Sequence, residues 1–160
     1  MVSPEPVALN SLGLMASNGA NPLILAIEVD SRRVRAGCLF AAMPGSKVHG
    51  ASFVASALEQ GAVAILTDAR GAALVGDAVA QAGAALIISD QPREALARTA
   101  ALYFGKQPQT MIAVTGTNGK TSVSTFVRQI WIEMGLNAVN LGTTGVEGAW
   151  TAPLAHTTPE

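Results

Sequence analysis

The chain has 160 residues, of which 49% are hydrophobic, 13% charged and 4% aromatic. That balance excludes a disordered chain and calls for a core of Ala, Val, Leu and Ile. Ten basic residues face eleven acidic ones, a net charge of -1, so nothing draws the chain as a whole toward nucleic acid or an anionic membrane. The lone cysteine, Cys38, rules out an internal disulfide and fits a reducing compartment. No apolar run approaches the roughly 20 residues of a membrane span. Met1–Pro6 has neither the basic start nor the apolar core of a signal peptide, so the expected location is the cytoplasm.

In chain order, residues 1–22 carry no firm periodicity and are expected to include a frayed start. Ile24–Val29 reads as a short strand ending at Asp30-Ser31-Arg32. A second apolar segment, Cys38–Met43, stops at the turn signal Pro44-Gly45 and is followed by the loop Ser46-Lys47-Val48-His49-Gly50. Phe53, Val54, Ala57 and Leu58 fall on one face of a helix, with Ser52 as the expected N-cap and Gly61 just past its end. Ala62–Leu66 is a strand, the Ala/Gly-rich stretch 69–83 is ambiguous, and Ala84–Ile88 is another strand. A helix over Pro92–Phe104 follows, with Ser89 or Asp90 as its cap.

Gly105-Lys106-Gln107-Pro108 is the best boundary in the chain. Beyond it, Met111–Val114 reads as a buried strand, and Lys120–Met134 as a helix whose Val123, Phe126, Val127, Ile130, Trp131 and Met134 share one face. The Phe126/Trp131/Met134 stripe is expected to be core. Gly135 ends that helix, Asn137–Leu141 is a short strand, and Gly142, Gly145 and Gly148 break up the stretch after it. Strands alternating with helices predict an α/β protein. Residues 1–106 form a small α/β domain, and residues 107–160 the opening strand–loop–helix–strand of a second, parallel-sheet domain.

The segment Gly116-Thr117-Asn118-Gly119-Lys120-Thr121-Ser122 lies between the expected strand and helix. Small residues let backbone N–H groups converge on phosphate oxygens, and the helix N-terminus adds unpaired donors and positive potential. Lys120 supplies a full charge for the β- and γ-phosphates, and the Thr121 hydroxyl is a candidate Mg²⁺ ligand. The usual phosphate loop starts with glycine five residues before its second glycine. Here that position is Val114, so the loop is a shorter Gly-x-x-Gly-Lys-Thr. Such sites also need a carboxylate at the end of another buried strand. The acids after Thr121 are Glu133, Glu147 and Glu160, and none ends an apolar strand, so the chain reads as the front of a longer protein.

Thr115-Gly116-Thr117-Asn118-Gly119-Lys120-Thr121 resembles the ATP loop of the Mur ligases and their folylpolyglutamate synthase relatives. Asp30-Ser31-Arg32 with Gly37-Cys38-Leu39-Phe40-Ala41, continued by Phe53, Ala57 and Gly61-Ala62, resembles the N-terminal signature shared by the Mur ligases that add the third residue and the final dipeptide. Gly142-Thr143-Thr144-Gly145 and Thr157-Thr158-Pro159-Glu160 resemble the third-residue, MurE-type enzymes only.

The resemblance implies an ATP- and Mg²⁺-dependent amide-forming ligase of peptidoglycan synthesis. It would join diaminopimelate or lysine to UDP-N-acetylmuramoyl-L-alanyl-D-glutamate through an acyl phosphate. It also implies that Val29 and Ser31 contact the uridine end of the substrate, with Ser46, Lys47 and Val48 in the adjoining loop. Gly116 through Ser122 would hold ATP, with Lys120 and Thr121 acting on the phosphates. Thr157 and Thr158, beside His156, would touch the muramoyl-peptide part. The family often has an acidic residue where this chain has His49, and His49 takes no role by analogy. The family's carbamylated lysine, later Mg²⁺ ligands and amino-acid-selecting arginine motif have no counterpart in this sequence, so the isolated chain is expected to be inactive. A dipeptide-adding ligase of the MurF type and a stand-alone uridine-nucleotide binding module are the alternatives.

Overall fold

The computed structural model describes residues 5–152. The chain divides into two compact units, Met1–Gln107 and Pro108–Glu160.

The first unit is built on a four-stranded parallel sheet in the order β3-β4-β5-β6, from Ala26–Glu28 (β3), Cys38–Ala41 (β4), Ala64–Thr67 (β5) and Ala85–Ile88 (β6). Between the strands run a 3-10 turn at Ser31–Arg33, helix α1 (Val54–Glu59) and helix α2 (Ala69–Gln81); α3 (Pro92–Phe104) follows β6. Side chains alternate across a strand, so a strand covered on both faces must be apolar throughout. β4 meets that demand. Cys38 and Phe40 pack with Val54 and Ala57 of α1 and Val75 and Val79 of α2. Leu39 and Ala41 face the other way, onto Leu9, Leu12, Ile24 and Tyr103 of α3.

The sequence places most of these elements within a residue or two, but five points differ, one of them the cap of α3: that position is Gln91, which makes no side-chain cap bond, and not Ser89 or Asp90. The described residues before 22 hold structure that no periodicity announces: Val7–Ala8 (β1) pairs antiparallel with Leu23–Ile24 (β2), and a 3-10 turn at Leu9–Leu12 buries both leucines. The expected strand Ile24–Val29 is two strands in two sheets. The chain bends at Leu25, where its N–H donates to Gly37 O (2.9 Å) and its carbonyl accepts from the Tyr103 hydroxyl (2.5 Å). Stretch 69–83 is helical, capped by Asp68, whose carboxylate accepts from the Gly71 N–H at 2.7 Å. Finally, Ser52 is not the cap before α1. A 3-10 turn at Gly50–Phe53 precedes that helix, and His49 caps it by accepting from the Ala51 N–H (3.0 Å). Gly61 does end the α1 segment in the left-handed region expected of it.

The second unit has helix α4 (Lys120–Glu133) and an antiparallel hairpin of β7 (Val139–Gly142) and β8 (Gly145–Gly148), turned by Thr143-Thr144. Gly135 follows α4 with φ 79°, as the sequence expects. Two expectations fail here for one reason. Met111–Val114 forms no strand, because among the described residues no free strand edge pairs with it; a lone strand would leave its N–H and C=O groups unpaired. The apolar stripe of α4 is likewise not core: Phe126 is 60% exposed and Met134 68%, with Trp131 half-buried. A two-stranded hairpin is too narrow to cover a face of that width. The parallel sheet expected of this unit is therefore absent among its described residues.

The contrast predicts different mutational costs. Phe40→Ala removes a fully buried side chain packed against α1 and α2 and should destabilise the first unit by about 3–5 kcal/mol. Phe126→Ala should change stability by less than about 0.5 kcal/mol. Denaturant unfolding followed by far-ultraviolet circular dichroism measures both.

Candidate functional site

Parallel strands end on the same side of their sheet, and ligands of open α/β sheets bind outside those carboxyl ends. In the first unit that edge collects Val29-Asp30-Ser31 after β3, Pro44–Val48 after β4, Asp68 after β5 and Ser89-Asp90 after β6. The sequence-expected residues Val29, Ser31, Ser46, Lys47 and Val48 thus share one edge.

Val29 is half-buried against the Leu39 face of the core. Ser31 opens the 3-10 turn and is fixed through its backbone: its carbonyl accepts from the Gln60 Nε2 at 3.2 Å and from the Val34 N–H at 3.4 Å. Asp30 caps the turn by accepting from the Arg32 N–H (3.0 Å) and grips the Arg32 guanidinium through contacts of 2.6–3.1 Å. Arg32's side-chain hydrogen bonds, with its backbone N–H, hold the Asp30 carboxyl down at about 2, against an ordinary 3.8. Arg33 turns toward the buried Glu28 at 3.6 Å. Two of the basic residues near Ser31 therefore have carboxylate partners.

The loop after β4 is pinched at its base. The Gly50 N–H donates to Met43 O (2.8 Å), and the Arg93 guanidinium of α3 donates to Pro44 O (3.1 Å). Glycine is required at both ends: a Cβ at Gly50 would lie 2.7 Å from Met43 N, and one at Gly45 would run into Val48 O. Ser46, Lys47 and Val48 are exposed at the tip. Behind the loop, His49 Nδ1 accepts from Ala51 N–H, so its Nε2 carries the proton and donates to Asp68 Oδ1 at 3.0 Å. The Gly71 N–H first, and then His49, keep the Asp68 carboxyl below the usual carboxylate range. Sequence reasoning left His49 without a role and missed Asp68. The available signal was an Asp directly after a strand, with Val75 and Val79 one helical turn apart.

In the second unit, residues 115–119 form an irregular loop, and Gly119 has φ 77° where α4 begins. The first backbone bond of the helix runs from the Val123 N–H to Gly119 O (2.9 Å), so the N–H groups of Lys120, Thr121 and Ser122 are not spent inside it. The Lys120 ammonium folds back over the loop onto the carbonyls of Gly116 and Thr117. Gly116 to Ser122 are all exposed. A tripolyphosphate could displace the lysine from those carbonyls and meet three free amides. Among the described residues no group of three His, Cys, Asp or Glu side chains could hold a metal; Thr121, whose hydroxyl the sequence offers as a Mg²⁺ ligand, is exposed in the first turn of α4. His156, Thr157 and Thr158 lie outside the described residues.

Residues 24–104 match the family described as "Mur ligase family, catalytic domain", and residues 114–160 match "Mur ligase middle domain". The chain belongs to the Mur ligase family. Its similar members include the UDP-N-acetylmuramoyl-L-alanyl-D-glutamate--2,6-diaminopimelate ligase of Brucella melitensis, 50% identical over 77% of this chain and 24% of that protein. The proteins of the same name from Chelativorans sp. and Zymomonas mobilis are 50% and 40% identical over 84% and 93% of this chain, and 26% and 30% of their own lengths. The chain thus spans about a quarter of the length of the curated Mur ligases it matches. Among solved structures, MurF from Acinetobacter baumannii aligns with a TM-score of 0.60 at 24% identity, covering 88% of this chain and 31% of that one. At that identity the likeness speaks for the Mur ligase fold alone.

The Asp30–Arg32 pair yields a pH prediction. A carboxyl held low in the folded state favours folding when ionised; that contribution is present above the ordinary 3.8 and is lost as pH falls toward about 2. Arg32→Gln should raise the Asp30 midpoint toward the ordinary value, read from its side-chain carbon shift in an NMR titration.

Proposed function

We propose that this chain supplies the uridine-substrate and ATP-loop parts of a MurE-type ligase, which joins diaminopimelate to UDP-N-acetylmuramoyl-L-alanyl-D-glutamate at the expense of ATP. The observation that carries this reading is the loop Gly116–Ser122: a left-handed glycine at the helix start, three unspent N–H groups and a lysine folded onto the carbonyls of Gly116 and Thr117. The names of the relatives supply the substrate and the amine. The unit Met1–Gln107 takes the nucleotide-sugar end, through Val29 and Ser31 at the end of β3 and Ser46, Lys47 and Val48 at the loop tip. Pro108–Glu160 takes ATP through Gly116, Thr117, Asn118, Gly119, Lys120, Thr121 and Ser122, with His156, Thr157 and Thr158 at the muramoyl peptide.

The chemistry is dictated by the poor leaving group of a carboxylate. The D-glutamyl carboxylate oxygen attacks the γ-phosphorus and ADP leaves. The diaminopimelate amine then attacks the acyl carbon, loses a proton and expels phosphate. Lys120 offsets the charge gathering on the transferred group, and the amides of Lys120, Thr121 and Ser122 orient it. Mg²⁺, when bound, would add Lewis-acid charge beside the Thr121 hydroxyl. The cytoplasm is the compartment we assign to it, and no described helix is long and apolar enough to cross a membrane.

Lys120→Ala in the full-length ligase should lower turnover at least about 100-fold. Its uridine-substrate affinity and thermal midpoint should hold. A wild-type rate in a coupled ADP-release assay would end the phosphate-loop assignment. Ser31→Ala should weaken UDP-N-acetylmuramoyl-dipeptide binding about 2- to 10-fold. Its ATP affinity should not change, and calorimetry with each ligand separates the two. Equal loss of both would mean a misfolded protein.

A further inference from the structure

The group that stands out beyond the reading above is the imidazole of His49. Its side chain is only 9% exposed, although it belongs to a loop whose next three residues toward the N-terminus are exposed. Both ring nitrogens are used, and with opposite polarity. Nδ1 accepts from the Ala51 N–H (3.0 Å), which begins the turn leading into α1. Nε2–H donates to Asp68 Oδ1 (3.0 Å), which begins α2. One ring therefore ties the base of the 44–48 loop to two neighbouring helices. The surroundings are shaped to receive it: a Cβ at Gly71 would lie 2.7 Å from His49 Cε1 and would run into Thr67 Oγ1. Thr67 Oγ1 in turn donates to Ala42 O (2.9 Å), just before the loop.

We propose that His49, in its neutral Nε2–H form, is a positioning residue that sets the conformation in which the Ser46–Val48 tip meets the uridine-nucleotide substrate. The inference rests on the assignment of that tip to the substrate. The required form is neutral because a proton on Nδ1 would set two donors, the ring N–H and the Ala51 N–H, against each other. Asp68 is the charged group that faces the ring, from the start of α2. The other elements packed on it present Thr67, Gly71, Gly50 and Ala51, none of which titrates, and Lys47 lies exposed in the loop itself. The Gly71 N–H, which donates to Asp68 Oδ1 at 2.7 Å, holds that carboxyl below the usual carboxylate range and keeps it an acceptor for the ring.

Two substitutions divide the clamp. His49→Asn keeps an acceptor for Ala51 and loses the reach to Asp68; His49→Gln keeps a donor toward Asp68 and loses the acceptor. The test uses the whole chain, with amide hydrogen exchange at Ser46–Ala51 and calorimetric binding of UDP-N-acetylmuramoyl-L-alanyl-D-glutamate and of ATP, at neutral pH. Protection at Ser46–Ala51 and affinity for the uridine nucleotide should fall together in both variants, the affinity by about 3- to 10-fold. Their affinity for ATP should match the wild type, which a general loss of structure would not leave intact. Variants that match the wild-type affinity for the uridine nucleotide would overturn the inference and leave the proposed function standing. A wild type that protects Ser46–Ala51 yet binds no uridine nucleotide would instead overturn the substrate assignment, and with it the positioning role.

Discussion

A parallel strand obtains its backbone partners only from neighbours on either side, and it can be apolar on both faces only if something covers both. Everything in the first unit stems from meeting that demand at β4. Its four residues are buried. The strands beside it, β3 and β5, satisfy its N–H and C=O groups, while α1 and α2 cover one face and the Leu9–Leu12 turn with α3 covers the other. Burying Phe40 alone contributes on the order of 2 kcal/mol. The carboxyl ends are aligned as a by-product, which brings Ser31, the 44–48 loop and Asp68 to one rim.

The second unit shows the same demand unmet. Met111–Val114 has the composition of a central strand, yet composition supplies only the side chains; the hydrogen-bond ladder must come from elsewhere. Without that sheet, Phe126 and Met134 stay exposed, and Asn140 is buried with neither amide atom partnered among the described residues. Each such orphaned group costs about 1–3 kcal/mol. The Gly116–Ser122 loop asks nothing of such a sheet, because its geometry is local: a left-handed glycine and a helix start.

This difference explains what could be read from residues alone. Pro92–Phe104 was legible to the residue, because Pro92 marks its first turn and Gly105 its end. The four central strands were legible as apolar runs between turn signals. The break at Leu25 was not, since it depends on a hydroxyl 78 residues away in Tyr103. The opening segment escaped for a similar reason: Leu9 and Leu12 gain their environment from α3 and the sheet. Helix α2 was hidden by its alanines and glycines, one of which, Gly71, is small because Thr67 and His49 crowd it. The candidate site divided along the same line. Motif residues in contiguous stretches could be named from the sequence, whereas the pairing of Asp68 with His49, 19 positions apart, needed the fold.

The pinched base of the 44–48 segment has one more implication. Its closure is made by main-chain groups and two glycines, with an arginine from α3 on a carbonyl, so none of the three side chains at the crest takes part in holding it shut. Scaffold and crest are thereby decoupled. The crest can be rewritten, in polarity or in bulk, while the sheet beneath is left undisturbed, so Ser46, Lys47 and Val48 are free to vary without re-engineering the architecture.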